Sequence, residues 1–131
     1  MATTWKLIWT LVRNGVSAVL AEKSLTGDGE AVFEVAIPTA STDTAVSFPI
    51  DLSQCAGILF VSDQAVTLET NSGGSPTDTI NLAANVPYVW CTGAPFVNKV
   101  TADVTATIYV TNASGSTANI KGYKLVSDST P

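Results

Sequence analysis

The stretch VTADVTATIYVT, residues 100–111, carries the clearest secondary-structure signal of the chain. Apolar and polar side chains alternate along it with a period of two, and the apolar set is Val104, Ala106, Ile108 and Val110. A period of two places successive side chains on opposite faces of a strand, and valine, isoleucine, threonine and tyrosine all favour strands. We therefore predict one strand over residues 100–111 with one face in a core.

The same alternation recurs along most of the chain. Residues 31–37 alternate up to Pro38, which ends that strand because proline has no N–H for the ladder. Residues 39–44 form a predicted polar loop, and Pro49 within a strand over 45–50 indicates an edge or a bulge. Residues 58–61 are continuously apolar, as in a strand buried on both faces. Further short strands are predicted over 66–70, 79–82, 87–90 and 118–126.

Residues 5–21 are predicted to form a β-hairpin. Alternation places Trp5 and Trp9 on one side of its first strand, and Asn14-Gly15 is a strong hairpin signal because both residues tolerate positive φ. A helix over residues 5–11 is the competing interpretation, and the aromatic and β-branched content favours the hairpin. Residues 127–131 are predicted to be a polar tail.

Together these segments predict an all-β protein. The chain has 131 residues, shows no long amphipathic helix and no linker, and supplies about eight to nine short strands. We predict a single domain over residues 1–131. Its expected fold is an antiparallel β-sandwich with jelly-roll or Greek-key connectivity, the common way to pack so many strands as two sheets.

Composition excludes several classes of partner. Charged residues make up 13% of the chain, about half the usual ~25%, so much of the surface is expected to be hidden in a core or against other subunits. The six basic residues are scattered and the net charge is −5, which argues against nucleic acid and against an anionic membrane surface. Arg13-Asn14-Gly15 interrupts the apolar N-terminal stretch, so no signal peptide is predicted and maturation in a cytoplasm is expected.

The residues present offer little for catalysis. The chain has no histidine, which removes the commonest general base and the serine and cysteine triads built on it. Cys55 and Cys91 are predicted to be free thiols, with one disulfide left as the alternative. Asp63, Glu69 and Asp78 lie near a glycine-rich loop, and ordinary turn chemistry explains them better than a hydrolase or a calcium site. We predict no enzyme activity, no catalytic or metal site, and no cofactor.

Four aromatic residues are the candidates for an interface, namely Trp5, Trp9, Tyr88 and Trp90. Large aromatic side chains anchor protein interfaces because they offer much contact area at small entropy cost. The alternatives are that they fill the core or form a platform on which a sugar stacks. If the face that carries Trp5 and Trp9 is not covered within the chain, a partner has to cover it.

Four segments together resemble a known class of proteins. They are residues 51–54, 61–71, 87–90 and 103–112, and their order of strands and turns is similar to small β-sandwich structural proteins of tailed bacteriophages and prophages. The resemblance spans roughly residues 45–128, leaves out the N-terminal hairpin and carries no active-site residue. It implies a capsid decoration, cement or minor head or tail protein that is located in the virion.

The expected function is therefore structural. The resemblance implies a homo-oligomer that contacts itself and other virion proteins, and the low charge and absent catalytic set agree with such a role. A carbohydrate-binding module for host recognition is the alternative, with a glycan as its partner.

Overall fold

The computed structural model describes residues 2–127 of the chain. Within this range no helix is long and apolar enough to cross a membrane. A single 3-10 turn, Leu52–Gln54, interrupts an otherwise all-β chain. The ten strands of the described residues are β1 (Thr3–Arg13), β2 (Val16–Gly27), β3 (Gly29–Ile37), β4 (Ser41–Ser47), β5 (Cys55–Ser62), β6 (Val66–Thr70), β7 (Thr79–Leu82), β8 (Tyr88–Cys91), β9 (Thr107–Asn112) and β10 (Ala118–Val126).

Eight of these strands form a sandwich of two four-stranded sheets. Sheet I has the order β3-β10-β5-β8 and sheet II the order β4-β9-β6-β7, and neighbouring strands are antiparallel throughout. This interleaved order is that of a jelly roll, which confirms the predicted fold class. The remaining two strands, β1 and β2, pair only with each other, so the total of ten exceeds the predicted eight to nine.

The core lies between the two sheets and is built from alternate residues of their strands. Phe33, Phe48 and Phe60 pack together near the edge formed by β3, and the Phe33 and Phe48 ring centroids are 4.8 Å apart at a steep interplanar angle. Edge-to-face packing of this kind is favourable for aromatic rings. Gly122 of β10 lies under Phe33, whose ring occupies the place that a Cβ at this position would take. The glycine is thus needed so that the ring can enter the core.

The long strand predicted over residues 100–111 is only partly correct, because regular pairing starts at Thr107. Upstream of it, Val104 forms an isolated antiparallel bridge with Ile50, and side chains accept from other backbone amides of the segment. The Thr101 amide donates to Asp78 Oδ2 at 2.8 Å, and the Thr105 amide donates to Asn71 Oδ1 at 2.9 Å. Val100 and Val104 remain buried. The apolar alternation therefore predicted burial correctly at the valine and isoleucine positions but incorrectly at Ala106, which is exposed, and it predicted a continuous ladder that does not form before Thr107.

Two further predictions need correction. The polar loop predicted over 39–44 is already a strand from Ser41, with an irregular register between Ser41 and Thr44, and β4 is an edge strand as Pro49 indicated. The run 58–61 is not buried on both faces. Ile58 and Phe60 point into the core and are buried, whereas Leu59 and Val61 point outward and are only half-buried.

Asn112, at the end of β9, connects two corners of the sandwich. Its fully buried side chain donates to the carbonyl oxygens of Ile37, Pro38 and Ser116, at 2.9 to 3.2 Å, and accepts from the Ser114 amide and hydroxyl. One side chain thereby satisfies carbonyl groups from the β3–β4 corner and from the β9–β10 turn. Buried carbonyl groups of this kind are costly to leave without a partner.

The Asn112→Ala substitution should lower the free energy of unfolding by about 2–4 kcal/mol, because it leaves several buried polar groups unsatisfied. Urea denaturation followed by circular dichroism measures this change. Asn81→Ala is the matched control, since Asn81 is exposed and shares one hydrogen bond with Thr67. A loss at Asn112 no larger than the loss at Asn81 would contradict the assigned role.

Candidate functional site

β1 and β2 form a separate two-stranded ribbon, which we call the arm (residues 3–27). The strands pair antiparallel from Thr3–Gly27 to Arg13–Val16. The turn between them is Asn14-Gly15, with φ of 50° and 79°, as expected for the tight turn that suits the twist of a hairpin. The structure thus contains the predicted hairpin, and it is longer than the predicted residues 5–21 at both ends.

The base of the arm is anchored on the outer face of sheet I. The Trp5 ring lies over Gly57 of β5, where a Cβ would approach the ring to 2.8 Å. The Trp5 indole Nε1 donates to Glu30 Oε2 at 2.8 Å. Leu25 packs beside it in a small cluster with Cys91 and Leu125, both of which are buried. The arm base therefore supplies the cover for this part of the sheet.

From its base the arm runs towards the β8 edge of sheet I. Trp9 lines a shallow, mainly apolar groove of about 320 Å³ with residues of β8 and of the following loop, among them Val89, Ala94 and Phe96. Trp9 is still 45% exposed there, and Phe96 is 49% exposed. Contact with the sandwich thus weakens at Trp9.

Beyond this groove the arm is apolar on both faces and uncovered. Seven of the eleven large hydrophobic side chains exposed in residues 2–127 belong to it, and their exposed fractions lie between 44% and 70%. Arg13 is the single charged residue between positions 7 and 21. An irregular register between Trp9 and Thr10 leaves one extra residue in β2. The seven are Ile8, Trp9, Leu11, Val12, Val16, Val19 and Leu20.

A two-stranded hairpin is marginally stable by itself in water, and a contiguous apolar surface on a protein usually marks a binding surface. The arm combines both properties over the residues beyond Trp9. Sequence analysis found Trp5 and Trp9 on one face but missed the second face with Ile8, Val12 and Val19. The signal was present, because the residues that alternate with Trp5 and Trp9 include Ile8 and Val12.

The other two interface candidates lie elsewhere. Tyr88 and Trp90 of β8 are half-buried and lie on the inner face of sheet I, where they pack against the main core. The Tyr88 hydroxyl donates to Asn98 Oδ1 at 2.6 Å and accepts from the Lys99 amide at 2.9 Å, and desolvation raises the pKa of Tyr88. The structure therefore separates the four aromatic candidates into two on the arm and two in the sandwich.

Both cysteines are free thiols, as predicted, although Cys55 is only half-buried. Cys91 is buried under the arm base in the cluster with Leu25. Burial raises the pKa of the Cys55 thiol, which lowers the fraction present as the reactive thiolate. Both cysteine side chains therefore act as packing residues.

The three carboxylates considered for catalysis do not converge. Asp63 accepts from the backbone and side-chain nitrogens of Asn119, both at 2.8 Å, which lowers its pKa. Asp78 accepts from the Thr101 amide and hydroxyl. Partial desolvation and the neighbouring Asp43 raise the pKa of Glu69. Within residues 2–127 no group of three or more Cys, Asp or Glu residues has a geometry that could hold a metal ion.

No protein-family model and no curated protein matches the chain. Two solved structures share a general similarity with it. A de novo designed double-stranded β-helix is 12% identical, with a TM-score of 0.42, over 72% of this chain and 97% of the designed one. A Bacillus endospore appendage protein, described as forming disulfide-linked pili, is 16% identical, with a TM-score of 0.33, over 76% of this chain and 89% of its own. Neither similarity is close enough to bear on function.

The Gly57→Ala substitution should detach the arm base, because the added methyl group enters the space of the Trp5 ring. Limited trypsin digestion with mass spectrometry measures this. Cleavage after Lys6 and Lys23 should become at least about tenfold faster. This factor corresponds to a decrease of roughly 1.4 kcal/mol in the free energy of local opening. Cleavage after Arg13, beyond the anchor, should not change.

Gly115→Ala is the control, because a Cβ at this position has open space around it. Equal protection of Lys6 and Lys23 in the two variants would show that Trp5 does not anchor the arm.

Proposed function

We propose that this protein is a structural subunit that acts by binding other protein chains through its arm. The observation that carries the proposal is the exposed apolar surface on both faces of the arm between residues 8 and 20. Water is a poor environment for seven large apolar side chains on a ribbon without a core of its own. Enclosure by other protein subunits removes both faces from water at once.

The rest of the surface supports a structural role. The outward face of sheet II is rich in hydroxyl and carboxylate side chains, such as Thr67, Thr111 and Asp43, whose hydrogen bonds join neighbouring strands and turns. Such a face is well hydrated and offers no reactive constellation among the described residues. The apolar contact area is concentrated in one place, the arm.

The resemblance to phage β-sandwich proteins supports a more specific proposal. A decoration or minor head or tail protein binds a repetitive shell in many copies, and multivalent contact turns a modest affinity into stable attachment. We propose that the partners are copies of this chain and other virion proteins, and that the protein is located in the virion.

A carbohydrate-binding function has less support from the structure. A sugar platform needs exposed aromatic rings in a row, and Tyr88 and Trp90 face the sandwich interior. Within residues 2–127, Trp9 and Phe96 are the aromatic side chains that combine large size with high exposure. Both lie at the apolar groove beside the arm, where a protein segment fits better than a polar sugar.

The unmodified protein is expected to sediment as an oligomer at micromolar concentration, and the double variant Val12→Asp with Val19→Asp is expected to sediment as a monomer. Both valines are exposed in the single chain, so the folded sandwich should tolerate the change within about 0.5 kcal/mol. Two carboxylates in a buried contact prevent association because they have to be desolvated. Analytical ultracentrifugation measures the mass.

The control is Val86→Asp with Val97→Asp, which alters two valines that are also more than half exposed but lie outside the arm. The control is expected to keep the mass of the unmodified protein. A strictly monomeric unmodified protein that also fails to bind purified virions or capsid shells would refute the proposed function.

A further inference from the structure

We propose that the arm of one copy binds a second copy of this chain by adding a strand to the free edge of β3. This inference deepens the proposed function and rests on it. The edge of β3 is then the surface that receives the arm of another copy. The contact is head-to-tail, because the two subunits contribute different surfaces. Backbone hydrogen bonds along an open sheet edge are a common basis of such recognition.

β3 is the sandwich edge best suited to receive a strand. Within residues 2–127 the four sheet edges are β3 and β8 in sheet I, and β4 and β7 in sheet II. β7 and β8 have four residues each, and β4 has an irregular register. Short strands and irregularities are features that protect edges from pairing. β3 has nine residues in unbroken register with β10, and Pro38 follows only after its last residue.

The core is also incompletely covered along this edge. Ala31, Phe33 and Val35 of β3 face the core but are only half-buried. By contrast, Ile58 and Ile120, which lie on the inner strands β5 and β10, have no exposed surface. A strand placed beside β3 would carry its own inward side chains over this open seam between the two sheets. The face of the arm that carries Ile8, Val12 and Val19 supplies the apolar side chains for that position.

Charge favours contact between an arm and a sandwich over contact between two arms. The arm carries three cations, Lys6, Arg13 and Lys23, against one carboxylate, Glu22. Residues 28–127 carry nine carboxylates and three lysines, and residues 24–98 contain no cation at all. Opposite net charges steer the two surfaces together, and like charges disfavour the pairing of two arms. Glu34, exposed on β3, adds a local negative charge at the proposed edge.

The lengths of the two surfaces allow pairing. Because the base of the arm is anchored on its own sandwich, the uncovered part has six residues in β1 (8–13) and five in β2 (16–20), enough to pair with more than half of the nine residues of β3. Because the donating and receiving surfaces differ, repetition of this contact produces a closed ring or an open filament.

Complementation between two variants tests this arrangement. The arm variant is Val12→Asp with Val19→Asp. The edge variant is Val32→Lys with Ala36→Lys, which places two cations on exposed outward positions of β3 and so repels the cationic arm. Each variant alone should have a dissociation constant at least about tenfold above that of the unmodified protein. An equimolar mixture should form heterodimers, since the edge variant retains a normal arm and the arm variant a normal edge.

Analytical ultracentrifugation and native mass spectrometry distinguish the outcomes, with Val86→Lys and Val97→Lys as the control for added charge. Heterodimers in the mixture and monomers in each separate variant support the arm-to-edge contact. Self-association of the edge variant at the level of the unmodified protein would overturn it, as would a mixture that stays monomeric, and either result leaves the proposed function intact. A monomeric unmodified protein with no affinity for virion components would instead refute the proposed function itself.

Discussion

A two-stranded ribbon has no interior, and this constraint governs the N-terminal fifth of the molecule. Side chains on either face of such a ribbon are removed from water only by contact with something else. At the arm base the sandwich provides that contact, with Trp5 over Gly57 and Leu25 against Leu125. From Ile8 onward the described part of the chain provides little cover, although the residues remain apolar on both faces.

The sandwich and the arm therefore differ in how their apolar side chains are removed from water. The sandwich hides its apolar side chains between two sheets and satisfies its corners with side chains such as Asn112. Its turns are held by short-range carboxylate and hydroxyl contacts, which leave a polar and acidic surface. The arm adds what that surface lacks, a concentrated apolar contact area with a positive net charge. Proposed assembly through the arm follows from this difference.

The sequence was sufficient for the class of the fold and for most of its strands. Period-two alternation and Asn14-Gly15 predicted the hairpin, and Pro38 marked the end of β3, because these signals are local. Errors arose where distant residues decide the backbone partner. Asn71 accepts from the Thr105 amide and Asp78 from the Thr101 amide, so the alternating segment forms no continuous ladder there. Val104 forms only an isolated bridge with Ile50, and no local sequence pattern indicates these distant partners. Burial at Trp5 and Tyr88 also depends on which element packs above each ring.

The most direct test of the account is the concentration dependence of hydrogen exchange in the arm of the unmodified protein. If other copies enclose the arm, amides of residues 8–20 should exchange markedly more slowly at high protein concentration than after dilution, while amides of β5 and β10 should be equally protected at both. The account would be contradicted if the arm amides exchanged as slowly in the fully dissociated monomer as they do at high protein concentration. The arm would then be stable without a partner.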